Sequence, residues 1–348
     1  MTTHAHHAPA GPHGHDSGHG SGHDGPVDGH ASPAPAHAHG HGHGHGDHGQ
    51  GHGDHADLDW SVLADHLETG AELHLPAHRR IADHLGALFG PDRPVRRVLD
   101  IGSGPGVMTC LLAEAFPHAE AVAVDGSAAL LDRTLARADR LGLAGRVTAR
   151  HARLPEDLSG DTGVGTADLV WTSKTVHHLG DQQAALDTLA GALRPGGVLA
   201  VAEGGLPMRF LPRDIGVGRP GLQSRLDAAH ERSFQDMRES LPGSTPVVED
   251  WAAMLRRAGL GDVRSFTALV DVPAPLDDAG RAFLHLQLSR LRENTGGFLD
   301  AGDLRTLDVL VDPASEAGVL LRPDVFLLSA VTVHTGVRPH DGARRAAS

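Results

Sequence analysis

The sequence predicts an α/β fold, a mostly parallel sheet with helices on both faces. Three observations carry that expectation. Short apolar runs ending in Asp or Gly recur between residues 97 and 203, amphipathic stretches separate them, and a glycine-rich turn follows the first run directly. In sheets of this kind ligands bind beyond the carboxyl ends of the strands.

Arg97 to Ile101 (RVLDI) reads as a buried strand and Val107 to Phe116 as the helix after it. Ala121 to Asp125 (AVAVD) is a second strand, Ala128 to Leu141 a second helix, and Arg146 to His151 a third strand. Ala167 to Ser173 and Val198 to Glu203 are the fourth and fifth strands, separated by a helix from Gln182 to Leu193 and the turn Pro195-Gly196-Gly197. Beyond Glu203 the rhythm changes. A Pro/Gly-rich stretch and a helical pattern from Leu222 to Leu241 precede a helix from Val248 to Ala258. Val263 to Val272 is a strand, Leu276 to Leu310 is mostly helical, and Val325 to Val333 is a closing apolar strand. Two insertions, about 204–246 and 273–324, at one end of a sheet suggest a lid. Its Met208, Phe210, Leu211, Leu222, Phe234, Phe283 and Leu286 can wall a pocket, although helical core packing accounts for most of them.

The first strand runs into Asp100-Ile101-Gly102-Ser103-Gly104-Pro105-Gly106. Glycines let the backbone turn sharply and approach a ligand, and the helix start offers unpaired N–H groups. A dinucleotide fingerprint requires glycine three positions after Gly104, where Val107 stands; the spacing is instead GxGxG. Asp125 ends the second strand about 20 residues after the loop, the acidic position that pairs with ribose hydroxyls. A plain strand-to-helix turn and an Asp that caps the helix starting near Ser127 are the bland alternatives.

VLDIGSGPG, AVAVDGS, ADLVWTSKTVHHLGD and LRPGGVLAVAE occur in the order and spacing of the class I S-adenosylmethionine-dependent methyltransferases, a family the chain resembles over about residues 77–205. MLRRAGLGDV, from Met254 to Val263, is similar to that family's late helix-and-strand element. The resemblance implies a Rossmann-like methyltransferase fold with a seven-stranded sheet, the last strand antiparallel. It also implies S-adenosylmethionine as cofactor over the first strands, and methyl transfer to a small organic molecule. Gly102, Ser103, Gly104 and Gly106 would then flank the methionine part, Asp100 would brace the loop or reach the amino group, Asp125 would hold the ribose, and Gly126 and Ser127 would border the adenine. After strand three the family often places an acidic residue that accepts from the adenine amine. Here Ala152 and Arg153 occupy that stretch; Arg153 cannot accept, so Glu156, Asp157 or backbone carbonyls would substitute. Ser173, at the end of strand four, is a further cofactor-side candidate.

On the acceptor side, His178 follows strand four and its ionisation range suits a base, while a loop-bracing role is the alternative. Glu203 ends strand five, where it can polarise an acceptor hydroxyl or amine, or bond a lid backbone. Lys174 has a weaker claim. The Asp or Asn, Pro-Pro, aromatic signature of DNA amine methylation is absent after strand four.

Composition narrows the class further. Thirty Lys and Arg against 44 Asp and Glu give a net charge of -14, which argues against a nucleic-acid partner. There is no Tyr, which excludes Tyr/Lys chemistry, and one cysteine, Cys110, which excludes an intramolecular disulfide and cysteine-only metal clusters. Without a run of 18 apolar residues or a signal-like start, the expectation is a soluble cytoplasmic protein with no membrane partner. The oligomeric state is not legible.

Residues 1–56 are different: 16 of the 28 histidines lie there, with no Lys or Arg and almost nothing apolar. Such a segment reads as a disordered tail, 57–338 as the methyltransferase domain and 339–348 as a disordered end. His39, His41, His43 and His45 could hold zinc or nickel through neutral imidazoles. Composition favours the blander reading, a solvated extension that meets metals incidentally. A non-catalytic metal-binding or regulatory protein on the same fold is the alternative function. A nicotinamide dehydrogenase ranks third, disfavoured by Val107 and by the lack of Tyr.

Overall fold

The computed structural model describes residues 60–90, 93–154, 156–158 and 163–340. The readings of the 1–56 tail, of its His39, His41, His43 and His45, and of 341–348 lie outside these residues.

Two helices precede the sheet, α1 (Trp60–Leu73) and α2 (Leu75–Phe89). The break between them falls at His74, whose Nδ1–H donates at 2.6 Å to the Gly70 carbonyl, which also accepts from the His74 backbone N–H at 3.2 Å. Pro76 follows in the first turn of α2, where its missing N–H costs nothing. Ala77, Ile81, Ala82, Leu85 and Phe89 give α2 its buried stripe.

The sheet comprises β1 (Arg97–Ile101), β2 (Glu120–Asp125), β3 (Val147–His151), β4 (Ala167–Ser173), β5 (Leu193–Arg209), β6 (Gly261–Val272) and β7 (Leu327–Val337), in the order β3-β2-β1-β4-β5-β7-β6. The first five run parallel, and β7 is antiparallel to both β5 and β6. Helices α3 (Val107–Ala115), α4 (Ala128–Arg140), α5 (Gln182–Gly191) and α7 (Trp251–Arg257) flank it. The order reverses between β1 and β4, which opens a crevice at their carboxyl ends.

Strand alternation sorts the core into two layers. Val98 packs with Leu85, Cys110, Leu112 and Trp171 on one face. Leu99 and Ile101 pack with Val122, Val170, Leu186 and Met254 on the other. Cys110 is buried, and burial pushes its thiol up to about 11, so it is packing material.

The first insertion begins later than its sequence suggests. Gly204, Gly205 and Pro207 read as chain breakers, yet β5 continues to Arg209 through an irregular register that pairs Gly205 with Val331 and Arg209 with Leu328 on β7. The remaining insertions fold as α6 (Leu222–Ser240), α8 (Asp278–Thr295) and α9 (Ala301–Val311) around a third core that includes Phe210, Leu222, Leu226, Leu288 and Leu307. No helix among the described residues is long and apolar enough to cross a membrane.

Candidate active site

The glycine loop takes its shape from β2 and two threonines. Gly102 and Ser103 donate their N–H groups to Val124 O at 2.8 and 3.1 Å, and Gly106 has φ +73° at the start of α3. A Cβ on Gly102, where φ is +71°, would overlap the Thr175 side chain, and one on Gly106 would overlap Thr134. A Cβ on Gly104 would meet nothing within 4 Å, because that residue faces open space.

Asp125 ties this loop to the next. Its Oδ2 accepts from Gly104 N and its Oδ1 from Ser127 N, both at 2.9 Å. Ser127 in turn caps α4 by accepting from Leu130 N, so the capping role belongs to Ser127 and not to Asp125. Asp100 is buried at the end of β1, where Thr109 of α3 donates to its Oδ2 at 2.6 Å. Burial raises its pKa to about 7, opposed by the Thr109 bond and reinforced by the charge of Asp125.

These residues line a cleft of about 820 Å³ at the β1/β4 reversal. Asp100, Gly102, Ser103, Gly104, Asp125, Gly126, Ser127 and Ser173 all reach it. Gly106 does not; it stands behind the loop against Thr134. Ala152 and Arg153 do not reach it either. Ala152 is in the core, donating its N–H to Asp125 O, and Arg153 is exposed beside Asp157; the next residue, Leu154, borders the cleft instead. Strand alternation and the turn into Asp157 account for the shift by one or two positions.

His178 lines the cleft, but Glu203 does not. The Glu203 carboxylate is buried under the loop after β4: Oε1 accepts from Thr175 N and Val176 N at 3.0 Å, and Oε2 accepts from His177 Nδ1–H at 2.7 Å. His177 Nε2 then stands 3.1 Å from His178 Nε2. Both Glu203 carboxylate oxygens are thus engaged by the loop after β4, and its bond to His177 connects it to His178. Arg238, in the last turn of α6, donates to the carbonyls of His177 and Leu179 at 2.7 and 2.6 Å and of Gly180 at 3.2 Å, while Phe234 meets the His177 ring edge-on.

Lys174 reaches the cleft from a left-handed backbone position, φ +51°, anchored by its N–H on Ala202 O. It is the one Lys or Arg among the cleft's lining residues as described. Burial lowers its pKa, and the charge of Glu203 opposes that shift. Sequence reasoning missed the remaining polar wall, His66 on α1, His74 just before α2 and His78 on α2. His66 stacks on Phe283 of α8 with ring centroids 4.7 Å apart and bonds Gln287 at 3.1 Å. The pKa of each is lowered, first by burial, with Lys174 adding like-charge repulsion at His74 and His78; His78 falls to about 4. A signal existed in HLPAHRRIADHLGALF, whose apolar residues recur at helical spacing and place His74 and His78 one turn apart.

The donor set fits a sulfonium nucleoside. Ser103 Oγ is buried with no hydrogen-bond partner among the described residues, the space at Gly104 is open, and Asp125 keeps a lone pair on each oxygen beyond its two backbone bonds. Among the described residues no group of three or more His, Cys, Asp or Glu could hold a metal ion.

Residues 99–199 match the family model described as a methyltransferase domain. The chain is 31% identical over 257 residues to a trans-aconitate 2-methyltransferase of Methylobacterium radiotolerans, covering 67% of this chain and 86% of that protein. It is 27% identical over 219 residues to one from Paracidovorax citrulli, covering 60% and 79%. Among solved structures it is similar to a methyltransferase from Geobacter sulfurreducens in complex with S-adenosyl-L-homocysteine, at 22% identity and a TM-score of 0.40, covering 72% of this chain and 89% of that one. The chain belongs to the class I S-adenosylmethionine-dependent methyltransferases. It transfers a methyl group from S-adenosylmethionine to a small organic acceptor.

Proposed function

We propose that the acceptor is a small carboxylic acid and that the methyl group is joined to a carboxylate oxygen. The observation that carries this reading is Lys174, an ammonium group turned into a cleft whose acids, Asp100 and Asp125, belong to the glycine-loop end. The relatives named trans-aconitate 2-methyltransferase, by their printed name, act on an acid of that kind.

When bound, S-adenosylmethionine supplies an electrophilic methyl group on a sulfonium that is already a good leaving group. The chain's residues then have to hold and align. Ser103 and Gly104 would border the methionine end, Asp100 would accept from its ammonium, and Asp125 would accept from the ribose hydroxyls. Gly126, Ser127 and Leu154 would flank the adenine. Lys174 orients the acceptor by one carboxylate while another faces the methyl, a positioning effect. Trp171, Phe283 and Val331 line the same cleft and keep water from the line of attack. A carboxylate is ionised at neutral pH, so this reaction requires no base. The reading carries with it a cytoplasmic protein without nucleic-acid or membrane partners.

A second reading rests on Glu203, His177 and His178. This chain of bonds favours a His178 that receives a proton from an acceptor hydroxyl, with the charge settling beside Glu203. Incubating the full-length enzyme with labelled S-adenosylmethionine and a panel of small acids and alcohols tests both. Carboxylate methylation gives a product cleaved by mild alkali, and Lys174→Met should raise KM for the acid by about tenfold or more for a lost charge-assisted contact. An alkali-stable ether as the sole product would overturn the first reading in favour of the second.

A further inference from the structure

We propose that His74 and His78, with Lys174, seat the acceptor's carboxylates and that this pair takes up a proton as the acid binds; the inference rests on the carboxylate reading above. His74, the residue that precedes α2, and His78, one turn on, have rings 6.0 Å apart and both face the cleft that Lys174 enters from the loop after β4. His74 shows why a proton is required. Its Nδ1–H is committed to the Gly70 carbonyl, which can only accept, so in the neutral ring Nε2 carries a lone pair. A carboxylate oxygen offers lone pairs as well, and two acceptors cannot bond. Protonation turns Nε2 into a donor and gives the wall a charge that complements the acid.

In the unliganded cleft that proton is unfavourable. Burial lowers both pKa values, and Lys174 repels a charge on either ring, as His74 does at His78. The charged or titratable groups that line the cleft with the pair are Lys174 and His178 from the loop after β4, Asp100 and Asp125 from the ends of β1 and β2, and His66 from α1, itself acted on by Arg290 of α8; of these Lys174 acts on both rings. Asp100 and Asp125 stand at the glycine-loop end, and Glu203 lies buried beside Lys174 with its oxygens engaged. An acid placed among Lys174, His74 and His78 reverses the local sign and draws a proton onto the pair, which titrates as one coupled unit. Acceptor affinity should therefore rise as pH falls, by up to about tenfold per pH unit for one linked proton. Because α2 lies outside the matched 99–199 segment, this wall can set acceptor choice independently of the cofactor half.

The methionine carboxylate of the cofactor offers the same chemistry, so the test separates the two sources. Full-length protein is titrated calorimetrically with S-adenosylhomocysteine, and the resulting complex with trans-aconitate, at about pH 6, 7 and 8 in buffers of different ionisation heat. The expected result is uptake of about one proton per acid bound and an affinity that tightens toward pH 6. The His74→Gln/His78→Gln double variant should lose both effects; it keeps the tail histidines, so the difference isolates the pair. His78→Lys should bind the acid with little pH dependence, which shows that the site has folded. A pH-independent affinity in the wild type, or uptake that persists in the double variant, overturns the histidine assignment alone. Uptake that the pair contributes to the S-adenosylhomocysteine titration instead also overturns it. If the acid binds at no pH, the carboxylate reading falls with it.

Discussion

Replacing Asp100 by Asn should stabilise the cofactor-free protein above neutrality and flatten its pH dependence. Burial raises the folded-state pKa of Asp100 from 3.8 to about 7. Below 3.8 the carboxyl is protonated in the folded and unfolded chains alike and costs nothing. Between the two values the unfolded chain ionises while the folded one keeps its proton, so stability falls as pH rises. Above about 7 the full cost is in place, at most about 4 kcal/mol for a shift of roughly three units. Roughly a third of that has accrued by pH 5, which leaves about 3 kcal/mol between pH 5 and pH 8. Asn cannot ionise, yet its amide oxygen still accepts from the Thr109 hydroxyl that donates to Asp100 at 2.6 Å. Urea denaturation of both proteins at pH 5 and pH 8 reads the difference. The wild type should lose about 3 kcal/mol more than the variant over that interval. On the proposed role of Asp100, saturating S-adenosylhomocysteine should close much of the gap, because its ammonium would pair with the carboxylate, and its binding near pH 6.5 should release a proton. Parallel pH curves for the two proteins would refute this account of Asp100.

Asp125→Ala should weaken S-adenosylhomocysteine binding by about 1 to 3 kcal/mol in calorimetry, since it would remove the proposed ribose acceptor and frees Gly104 N and Ser127 N. Gly102→Ala should lower stability in thermal denaturation by about 1 to 3 kcal/mol, from a left-handed backbone combined with overlap at Thr175. Gly104→Ala should destabilise less, because its Cβ would project into open space, and should show its effect chiefly as lost cofactor affinity. Deleting residues 1–56 should leave the melting temperature and cofactor affinity of the rest unchanged in metal-free buffer and abolish zinc or nickel binding; equal metal binding by both proteins would locate the metal site in the folded domain.

The parallel strands were legible because a strand buried on both faces is a continuous apolar run, and a polar residue marks the ligand edge of each: Asp100 next to the end of β1, Asp125 ending β2 and Ser173 ending β4. The glycine loop and Asp125 were legible for a related reason: their spacing is dictated by the strand-turn-helix path itself. Helices α1 and α2 were not. Their stripe is built from Ala, Leu and Ile interrupted by Pro76, and three of their histidines look like the surface polarity of any amphipathic helix until α8 is folded against α1. The last part of β5 was hidden by Gly204, Gly205 and Pro207, which signal a loop locally, while pairing with β7 at Gly205 and Arg209 overrides the local preference. Glu203 stands where a reactive carboxylate would stand in sequence, and only the backbone N–H groups of Thr175 and Val176 reveal its bracing role.

Arg238 ties the carbonyls of His177, Leu179 and Gly180 to the last turn of α6, so two segments separated by some sixty residues behave as one mechanical part. A loop grafted from a relative without its own α6 would arrive with the His177 and Leu179 carbonyls stripped of the Arg238 guanidinium and without the Phe234 edge against the His177 ring. A helix grafted alone would bring a guanidinium with nothing to grip. The loop and α6 are thus inherited, and can be engineered, only as a pair, and recombination between them should yield proteins that keep their cofactor yet lose methyl transfer.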